Sequence, residues 1–501
     1  MKHLKKLWPI LLVATLLMLF VACDKTPDTT DTPTVADTDP ATNAPEDPTT
    51  PEETEPMTDA ETETETETET ETETETETET ETEKETVPED VALPYVPSKP
   101  AEMGDWKGIW LSQFDLQNVF QSAGQQNPES NFRRIMGRLL DNVAKDGYNT
   151  IVVQVRPNAD SMYPSEYYPP SKYVVASYSN NFTYDPFAII IELAKERNLD
   201  VHAWINPMRG MSDDELKAVD EKYLIKQWYN DSTKKGTYIR LETKNNQTLW
   251  YLNPAYDEVR ELIVNGAREI MQKYDVQGVH MDDYFYPVTP EQGAFDLKAF
   301  QKANQAYYKE TGKKMTVADF RRSCLDKLVS ELYAGVKKEN IDALFGISPA
   351  GDFDKVVNIH CADVANWCAN PGYIDYIMPQ VYFGFEHKNF AFDKTCNMWQ
   401  NAIKTDYVKL IIGVTFGKAE TGVDNYAGEA GKDEWTRHKD IMKRSLEYSA
   451  TLEKCVGMTV FCYQYLYNPL TGNLNSATKQ EHENFNSVLK DITWPASKKE
   501  D

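Results

Sequence analysis

Histidine is scarce in this sequence of 501 residues, and the chain contains no stripe of basic residues. The seven histidines are scattered, and none forms the close pair on one helix that many zinc sites use. A protein without a basic stripe lacks the electrostatic footprint of a nucleic-acid partner. We therefore expect a protein that binds no nucleic acid and needs no metal or other cofactor.

The net charge of −28 is concentrated in one stretch of low complexity. Residues 24–90 contain 26 acidic residues and two lysines, and residues 61–82 are an uninterrupted Glu-Thr repeat. Such a self-repelling segment cannot bury a core. We predict that residues 23–100 form a disordered, extended tether, so the acidic pI says little about the rest of the chain.

The first 23 residues have the pattern of an export signal. Lys2, Lys5 and Lys6 precede an apolar run at residues 7–22, and Cys23 follows a small residue. This pattern is typical of a lipoprotein signal peptide, here residues 1–22, with Cys23 as the lipid-modified first residue of the mature chain. We expect an extracytoplasmic protein anchored to the bacterial cell membrane through that lipid. An uncleaved membrane anchor is the alternative.

The remaining cysteines are even in number, which permits disulfides in an exported protein. They are Cys324, Cys361, Cys368, Cys396, Cys455 and Cys462. Cys361 and Cys368, seven positions apart, are the first candidate pair. Buried free thiols are the alternative, and the sequence leaves both open.

Residues 101–495 alternate short runs rich in Val, Ile and aromatic residues with segments of helical spacing. The eight runs are residues 108–112, 150–156, 200–206, 278–282, 344–348, 374–382, 409–416 and 457–465. Strands that alternate with helices form right-handed parallel units, and eight of them favour a closed barrel. The sequence therefore predicts an α/β fold, a (β/α)8 TIM barrel, which we expect to be monomeric. The longest inserted loops are predicted at residues 208–250 and 284–316.

Polar and apolar side chains alternate within these runs. In the second run Gln154 and Arg156 oppose Val153 and Val155. The third and fourth runs repeat the pattern with the polar or aromatic residues His202, Trp204, Asn206, His280 and Asp282. Because successive side chains of a strand point to opposite sides, we expect these groups to face the barrel axis and to gather at the carboxyl ends of the strands.

Four motifs in this region resemble those of one known family. They are IVVQVRP (151–157), VHAWINPMR (201–209), HMDDYFYP (280–287) and YIMPQVY (376–382). Together they resemble the glycosyl-hydrolase-like ten family of bacterial TIM-barrel proteins, which are often lipoproteins. The resemblance covers nearly all of residues 106–466 and implies hydrolysis of a glycan, with peptidoglycan strands or another envelope polysaccharide as substrate. At Ala350 this chain departs from the bulky residue expected there.

Glycoside hydrolysis usually needs one ionised and one protonated carboxyl group. Asp282, at the end of the fourth run, is the candidate for the ionised group, with Arg156 expected nearby to lower its pKa. Asp283 must point differently, so that it either takes part in catalysis or holds the following loop. Asp160 is the first candidate for the general acid outside this pair. Further candidates, each of which could equally be a solvated loop residue, are Asp115, Asp352 and Glu386.

Sugar binding needs flat apolar rings and planar polar groups. The rings that fall where strands meet loops are those of Trp204, Tyr284, Tyr286, Tyr382 and Tyr465, and core packing is the alternative for each. The polar candidates for substrate contact are Gln154, Arg156, His202, Asn206, Arg209, His280 and Gln380.

Two other functions remain open at this point. A metal-dependent polysaccharide deacetylase could use His202, His280 and Asp282 as ligands of a cation. A catalytically silent barrel could bind glycan without cleaving it. The presence of both Asp282 and Asp283 argues against the silent barrel.

Overall fold

The computed structural model describes residues 85–88, 91–244, 246–283 and 285–497, and these belong to one compact unit, Glu85–Asp501. The predicted signal peptide, Cys23 and the predicted tether up to residue 84 lie outside the described residues. The domain boundaries predicted around residues 22 and 100 stay predictions. Within the described part of the chain, no helix has the length and apolar character needed to cross a membrane.

Eight parallel strands form a closed barrel, in which each strand pairs with its neighbours in chain order. They are β1 (Trp106–Leu111), β2 (Thr150–Arg156), β3 (Asp200–Ile205), β4 (Gly278–Met281), β5 (Leu344–Ile347), β6 (Tyr376–Ile377), β7 (Lys409–Thr415) and β8 (Cys455–Phe461). β1 also pairs with β8, with Trp106 opposite Gly457, which closes the sheet. The predicted (β/α)8 TIM barrel is confirmed.

The observed strands differ from the predicted ones mainly at β6 and β8. β6 is only two residues long and ends at Ile377, and Pro379 has no N–H that could continue the ladder. Gln380 beyond it forms only isolated bridges. β8 ends at Phe461 because Tyr463–Tyr465 forms a 3-10 helix.

Helices surround the barrel, and their ends follow ordinary capping chemistry. Asp185 caps the helix that begins at Pro186, where the missing N–H of proline has no consequence. Gly147, with a φ of 101°, ends the helix before β2 in the left-handed conformation. The α-helices are Gln113–Phe120, Glu129–Asp146, Lys172–Val175, Pro186–Lys195, Asp213–Ala218, Leu224–Asn230, Asp257–Lys273, Leu297–Thr311, Val317–Glu339, Phe353–Asn358, Val364–Ala369, Phe392–Ala402, Gly417–Thr421, Gly428–Gly431, Glu434–Arg437, Ile441–Ser449 and Lys479–Leu489. The 3-10 helices are Tyr463–Tyr465 and Pro495–Ser497.

Two apolar clusters stabilise this arrangement, one between the barrel and its helices and one inside the barrel. The buried members of the interior cluster are Trp106, Trp110, Val152, Trp204, Tyr376, Met378, Ile411, Val456 and Cys462. Val152 of β2 points inward, whereas Ile151, Val153 and Val155 join the outer cluster. The predicted alternation therefore holds along most of β2.

The insertions predicted after the third and fourth strands contain ordered elements. The segment after β3 contains two short helices and an antiparallel hairpin, Ile239–Lys244 paired with Gln247–Leu252. The loop after β4 is held by a buried ion pair between Arg321 and Asp296, 2.9 Å apart. Both insertions follow the carboxyl ends of strands and therefore border the mouth of the barrel.

The six cysteines of the barrel domain are all buried and all free. Of the two alternatives that the sequence left open, the structure has buried thiols rather than disulfides. The described part of the barrel domain is therefore held without a disulfide.

Candidate active site

Asp282 follows the last residue of β4 and lies at the mouth of the barrel, where it is only 4 % exposed. The Nδ2 of Asn206, which follows β3, donates to Oδ2 of Asp282 at 2.5 Å. Gln154 Nε2 donates to Asn206 Oδ1 at 2.8 Å, and the backbone N–H of Gln113 donates to Gln154 Oε1 at 2.7 Å. A chain of hydrogen bonds thus links residues from β1 to β4, and each donor in it points toward the carboxylate of Asp282. This relay fixes the orientation of Asp282.

The amides of Gln154 and Asn206 are consequently engaged within the protein. The sequence analysis predicted that both side chains contact hydroxyl groups of the substrate. The structure corrects this role, because both amides form hydrogen bonds within the protein. A hydrogen bond to an ionised carboxylate favours the charged form. The relay therefore suits an ionised Asp282.

Asp283 occupies a different environment although it is the next residue. Burial raises the pKa of its carboxyl group, while Lys244, a hydrogen bond with the side chain of Gln380, and Lys355 act in the opposite direction. Its backbone oxygen also accepts from the N–H of Phe285 at 3.0 Å. Asp283 thus both holds the following loop and carries a carboxyl group that retains its proton more readily than an exposed aspartate.

Tyr382 and Gln380 complete the wall of the site beyond β6. Tyr382 interacts electrostatically with Asp283 and more weakly with Asp282, and its ring stacks on Phe461 with centroids 6.0 Å apart. Gln380 Nε2 donates to the backbone oxygen of Ser348 at 3.1 Å. Both side chains are only partly buried, so they have a surface that a ligand can touch.

Arg156 does not face Asp282, and the expectation that it lowers the pKa of that residue is wrong. A register shift between Gln154 and Arg156 interrupts the alternation of β2. The guanidinium instead lies 4.6 Å from the centre of the Tyr168 ring, and its Nη1 donates to the backbone oxygen of Ile263 at 3.4 Å. A bulge of this kind redirects a side chain, which here places Arg156 beneath the helix Asp257–Lys273.

His202 and His280 point inward, as predicted, but they lie deeper than the carboxylates. The hydroxyl group of Tyr376 meets Nδ1 of His280 at 3.1 Å and Nδ1 of His202 at 3.4 Å. Burial lowers the pKa of His202 to about 3 and that of His280 well below its usual value. Both are closed off from solvent, so the predicted direct contact with substrate is wrong. Trp204, 6 % exposed, belongs to the same interior cluster.

Asp160 is buried within its own loop. Its Oδ1 accepts from the N–H of Asn158 at 2.8 Å and its Oδ2 from the hydroxyl of Tyr178 at 2.9 Å. Ser171 provides another hydrogen bond, and burial raises the pKa of the carboxyl group. These hydrogen bonds use both carboxyl oxygens of Asp160 to hold its own loop, so its role there is structural.

The other candidate acids also have structural partners. Asp115 forms a capping box with Ser112 and accepts from the backbone N–H of Gln464. Asp352 caps the helix Phe353–Asn358. Glu386 pairs with Arg437 at 2.5 Å, which lowers the pKa of its carboxyl group.

The three remaining aromatic candidates lie in different places. Tyr286 is buried under the guanidinium of Arg321, 4.9 Å from its ring centre. Tyr465 lies beside Phe461 at the end of β8, with centroids 6.4 Å apart. Tyr284 lies outside the described residues.

Sequence reasoning named Arg209 but missed two other cations that border the site, Lys244 and Lys355. Lys244 ends the first strand of the hairpin, and it interacts with Asp283, Lys355 and Arg209. The hairpin could have been anticipated from the alternation of residues 239–244, but nothing in the local pattern points its end toward β4. Among the described residues, no group of three or more His, Cys, Asp or Glu side chains could hold a metal ion.

The fold and the site define a TIM-barrel protein with an acidic pair at the carboxyl end of β4. The sequence model of the family described as glycosyl hydrolase-like 10 matches residues 105–427, so the chain belongs to this family. The family resemblance found in the sequence is thereby confirmed.

Curated relatives are named as glycosyl hydrolases. Glycosyl hydrolase YngK of Bacillus subtilis (strain 168) is 32% identical over 305 residues, which cover 57% of this chain and 56% of that protein. Glycosyl hydrolase DigH of Escherichia coli (strain K12) is 28% identical over 415 residues, which cover 77% of this chain and 90% of that protein. The chain thus spans little more than half the length of the first and most of the second.

Solved structures of other glycan-acting barrels have the same fold. The glycoside hydrolase domain of PgaB (BpsB) from Bordetella bronchiseptica has a TM-score of 0.50 and 10% identity, and covers 78% of this chain and 100% of that domain. The catalytic domain of the β-amylase from Paenibacillus polymyxa has a TM-score of 0.50 and 11% identity, with the same coverage. At such low identity these similarities describe the fold alone.

Proposed function

We propose that this protein is a glycoside hydrolase whose chemistry is carried by Asp282 and Asp283. One observation carries the proposal: two adjacent carboxyl groups lie at the mouth of the barrel and have different partners. Asn206 donates a hydrogen bond to Asp282, whereas burial raises the pKa of Asp283. Paired carboxyl groups whose environments separate their pKa values are the usual basis of acid and base roles.

In this proposal Asp282 is the ionised group and Asp283 is the general acid. Asp282, held by the relay of amides, attacks the anomeric carbon or activates a water molecule, and Asp283 protonates the leaving oxygen. Asp283 takes this role in place of Asp160, whose oxygens are engaged by Asn158 and Tyr178. Tyr382 offers a partly exposed ring on which a sugar can stack.

We propose a polysaccharide of the bacterial envelope as substrate, with peptidoglycan glycan strands first. Family membership and relatives named glycosyl hydrolases support a glycan-acting hydrolase. The lipoprotein pattern that ends at Cys23 supports a location outside the cytoplasm and attachment to the cell membrane. An extended tether of about 75 residues could reach on the order of 250 Å from that membrane.

The activity is tested with the purified full-length protein and a panel of glycans that includes peptide-free peptidoglycan, chitin-type oligosaccharides and uncharged plant polysaccharides. New reducing ends and shortened products are measured, with Asp282→Asn protein as the matched background. Release of shorter glycans by the native protein alone is the expected result.

The same panel separates the alternatives. Binding without any product would favour a silent glycan-binding barrel. Release of acetate, together with loss of activity in a strong chelator, would favour a metal-dependent deacetylase. Either result would overturn the glycosidase proposal.

The location is tested separately. The native protein should incorporate labelled fatty acid, and a Cys23→Ala variant should not, because it lacks the thiol that receives the lipid. Native protein that lies in the membrane fraction without incorporating lipid would indicate an uncleaved anchor at residues 7–22.

A further inference from the structure

Three aromatic rings lie next to one another at the mouth of the barrel, across the ends of β6 and β8. The ring of Tyr382, beyond β6, stacks on that of Phe461, the last residue of β8, with centroids 6.0 Å apart and an angle of 27° between the planes. Tyr465, in the 3-10 helix after β8, continues the series, with its centroid 6.4 Å from that of Phe461. All three side chains are partly exposed. These three residues form the aromatic row.

The central ring of the row is placed by the alternation of β8. Val460 belongs to the outer cluster, whereas Thr459 Oγ1 accepts a hydrogen bond from Trp106 Nε1 inside the barrel at 2.7 Å. Phe461 is therefore the next inward residue, and it ends its strand at the opening, where ligands of barrel proteins bind. The sequence analysis did not name Phe461, although this alternation could have indicated it.

Two glycines at and beyond β7, the strand between β6 and β8, leave room for the rings. The buried ring of Trp110 packs against Phe461 from the interior, edge to face, with centroids 6.1 Å apart. A Cβ atom at Gly413 would lie 3.0 Å from the ring of Trp110, and one at Gly417 would lie 3.2 Å from Cζ of Tyr465. The rings are thus fixed by packing from below. Binding to rings that are already in place costs little further ordering.

The row begins close to the acidic pair. The backbone N–H of Ser348 donates to the oxygen of Met281 at 2.7 Å, and Gln380 Nε2 donates to the backbone oxygen of Ser348 at 3.1 Å. Asp282 follows Met281, and Tyr382 lies two residues after Gln380. Only the end of β5 therefore separates the acids from the first ring. Because β8 lies beyond β7 in the barrel, the row leads away from the acids on one side.

We propose that the aromatic row binds successive sugars of a glycan strand on one side of the cleaved bond, through the apolar C–H faces of their pyranose rings. This inference rests on the proposed function, which places the cleaved bond at Asp282 and Asp283. Aromatic rings offer large apolar faces and require no charge on the ligand. Neighbouring apolar groups left exposed at an opening are typical of a ligand-binding groove. The substrate is therefore a chain of several sugars, and its affinity depends on chain length rather than on charge.

The test measures how affinity depends on chain length. Dissociation constants are determined for a disaccharide and for progressively longer oligosaccharides, in one series from peptide-free peptidoglycan and one neutral series of the chitin type. Full-length D282N protein is used, so that no ligand is cleaved during the measurement. It is compared with the same protein carrying F461L, F461Y or Y465L. F485L is the matched control, because Phe485 is buried in the outer cluster against Phe416.

Affinity should rise with chain length in at least one series, and high salt should leave this rise unchanged because stacking involves no charge. F461L keeps an apolar side chain but loses the flat face, so it should bind the longer oligosaccharides about tenfold more weakly. F461Y, which keeps the ring, should retain the affinity. Y465L should weaken only the longer oligosaccharides, since Tyr465 is the ring farthest from the acids. F485L should keep the full dependence on length, whatever its effect on stability.

Affinity that does not rise with length in either series would overturn the row, as would an unchanged rise in folded F461L and Y465L proteins. An equal loss in F461Y and F461L would show that Phe461 acts through packing and not through stacking. A rise that disappears at high salt would assign it to charged groups instead. Cleavage by the native protein is measured separately, so the two proposals can fail independently. A rise that F461L abolishes, without any product, supports the row and removes the glycosidase, whereas products without the rise do the reverse.

Discussion

The depth of the barrel and its mouth are both lined by polar side chains of the same strands, yet they differ in charge. In the depth, the hydroxyl group of Tyr376 lies within hydrogen-bond distance of Nδ1 of both His202 and His280, and burial lowers the pKa of both imidazoles, which keeps them neutral. Just beyond the ends of β3 and β4, four residues after His202 and two after His280, Asn206 and Asp282 form a hydrogen bond that presents a carboxylate to the opening. On the inward side of β3 and β4, the buried core layer is thus followed directly by the layer that forms the candidate site.

This difference shows that an inward polar residue is not by itself a sign of function. A buried polar group is stable when its partners are complete. The deep layer consists of neutral groups, whereas the mouth holds two acids and several cations. Substitutions in the mouth should therefore affect turnover, and those in the depth should affect stability.

Asp282→Asn gives the largest expected effect. The amide keeps the shape of the side chain but cannot act as an ionised group, so kcat should fall by about 10⁴-fold. Chemical denaturation should show an unchanged fold. A variant within about tenfold of native turnover would mean that the ionised group lies elsewhere in the mouth.

Asp283→Asn should lower kcat by about 10²- to 10³-fold, the usual contribution of a general acid. Its effect on the pH profile is more specific. Because the pKa of Asp283 is raised by burial, native activity should fall as the pH rises through that pKa and the proton is lost. The variant should lack this alkaline limb. K244Q, which removes a cation that opposes the shift, should move the limb to higher pH. A limb that stays in place in D283N would assign it to another residue.

Asn206→Ala tests the relay that holds Asp282. Loss of its donor frees the carboxylate to rotate, and a misplacement of this kind costs about 100-fold in kcat. Asn206→Asp is the harsher comparison, since it places a second negative charge against Asp282. Crystal structures or chemical shifts of the Asp282 side chain would show whether the orientation is lost. Native turnover in N206A would show that catalysis does not need the relay of hydrogen bonds.

Much of this arrangement could be predicted from the sequence. All eight strands are visible as runs of apolar residues, because each strand of a parallel barrel is buried on both faces. The position of Asp282 could also be predicted, since strand alternation and the end of a run place it at the opening. The ends of short strands were less visible, as β6 shows, because Met378 and Gln380 on either side of Pro379 continue its alternation beyond its last residue, Ile377.

The rest depends on tertiary contacts that local patterns do not contain. A bulge in β2 turns Arg156 outward, although strict alternation places it beside Gln154. Lys244 reaches the site on a hairpin that is far from β4 in sequence. The partners of Asp160 also come from its own loop, whose conformation includes Ala159 with a φ of 52°. Each of these residues owes its environment to loop or bulge geometry.

Tyr376→Phe tests the depth of the barrel. Removing the hydroxyl group leaves Nδ1 of His202 and of His280 buried without a partner, which should lower the free energy of unfolding by about 1–3 kcal/mol. Turnover at saturating substrate should stay within about twofold. Tyr308→Phe, at a position 54% exposed, is the matched control and should change neither quantity. A large loss of kcat with native stability would extend the site into the depth.

Arg156→Met should have the smallest effect and directly tests the placement of this residue. The guanidinium is completely buried, contacts the ring of Tyr168, and has an Nη2 without a hydrogen-bond partner among the described residues. Methionine keeps most of the volume and can contact the same ring. It gives up a desolvated cation–π contact of about 2 kcal/mol but removes the cost of burying an unpaired charge. These terms oppose each other, so the free energy of unfolding should change by about 1 kcal/mol or less. Turnover and its pH profile should match those of the native protein, whereas a residue that held the pKa of Asp282 down would shift the acidic limb. Such a shift in R156M would indicate that Arg156 acts on Asp282 at the mouth of the barrel, which would contradict its placement on the outer side of β2.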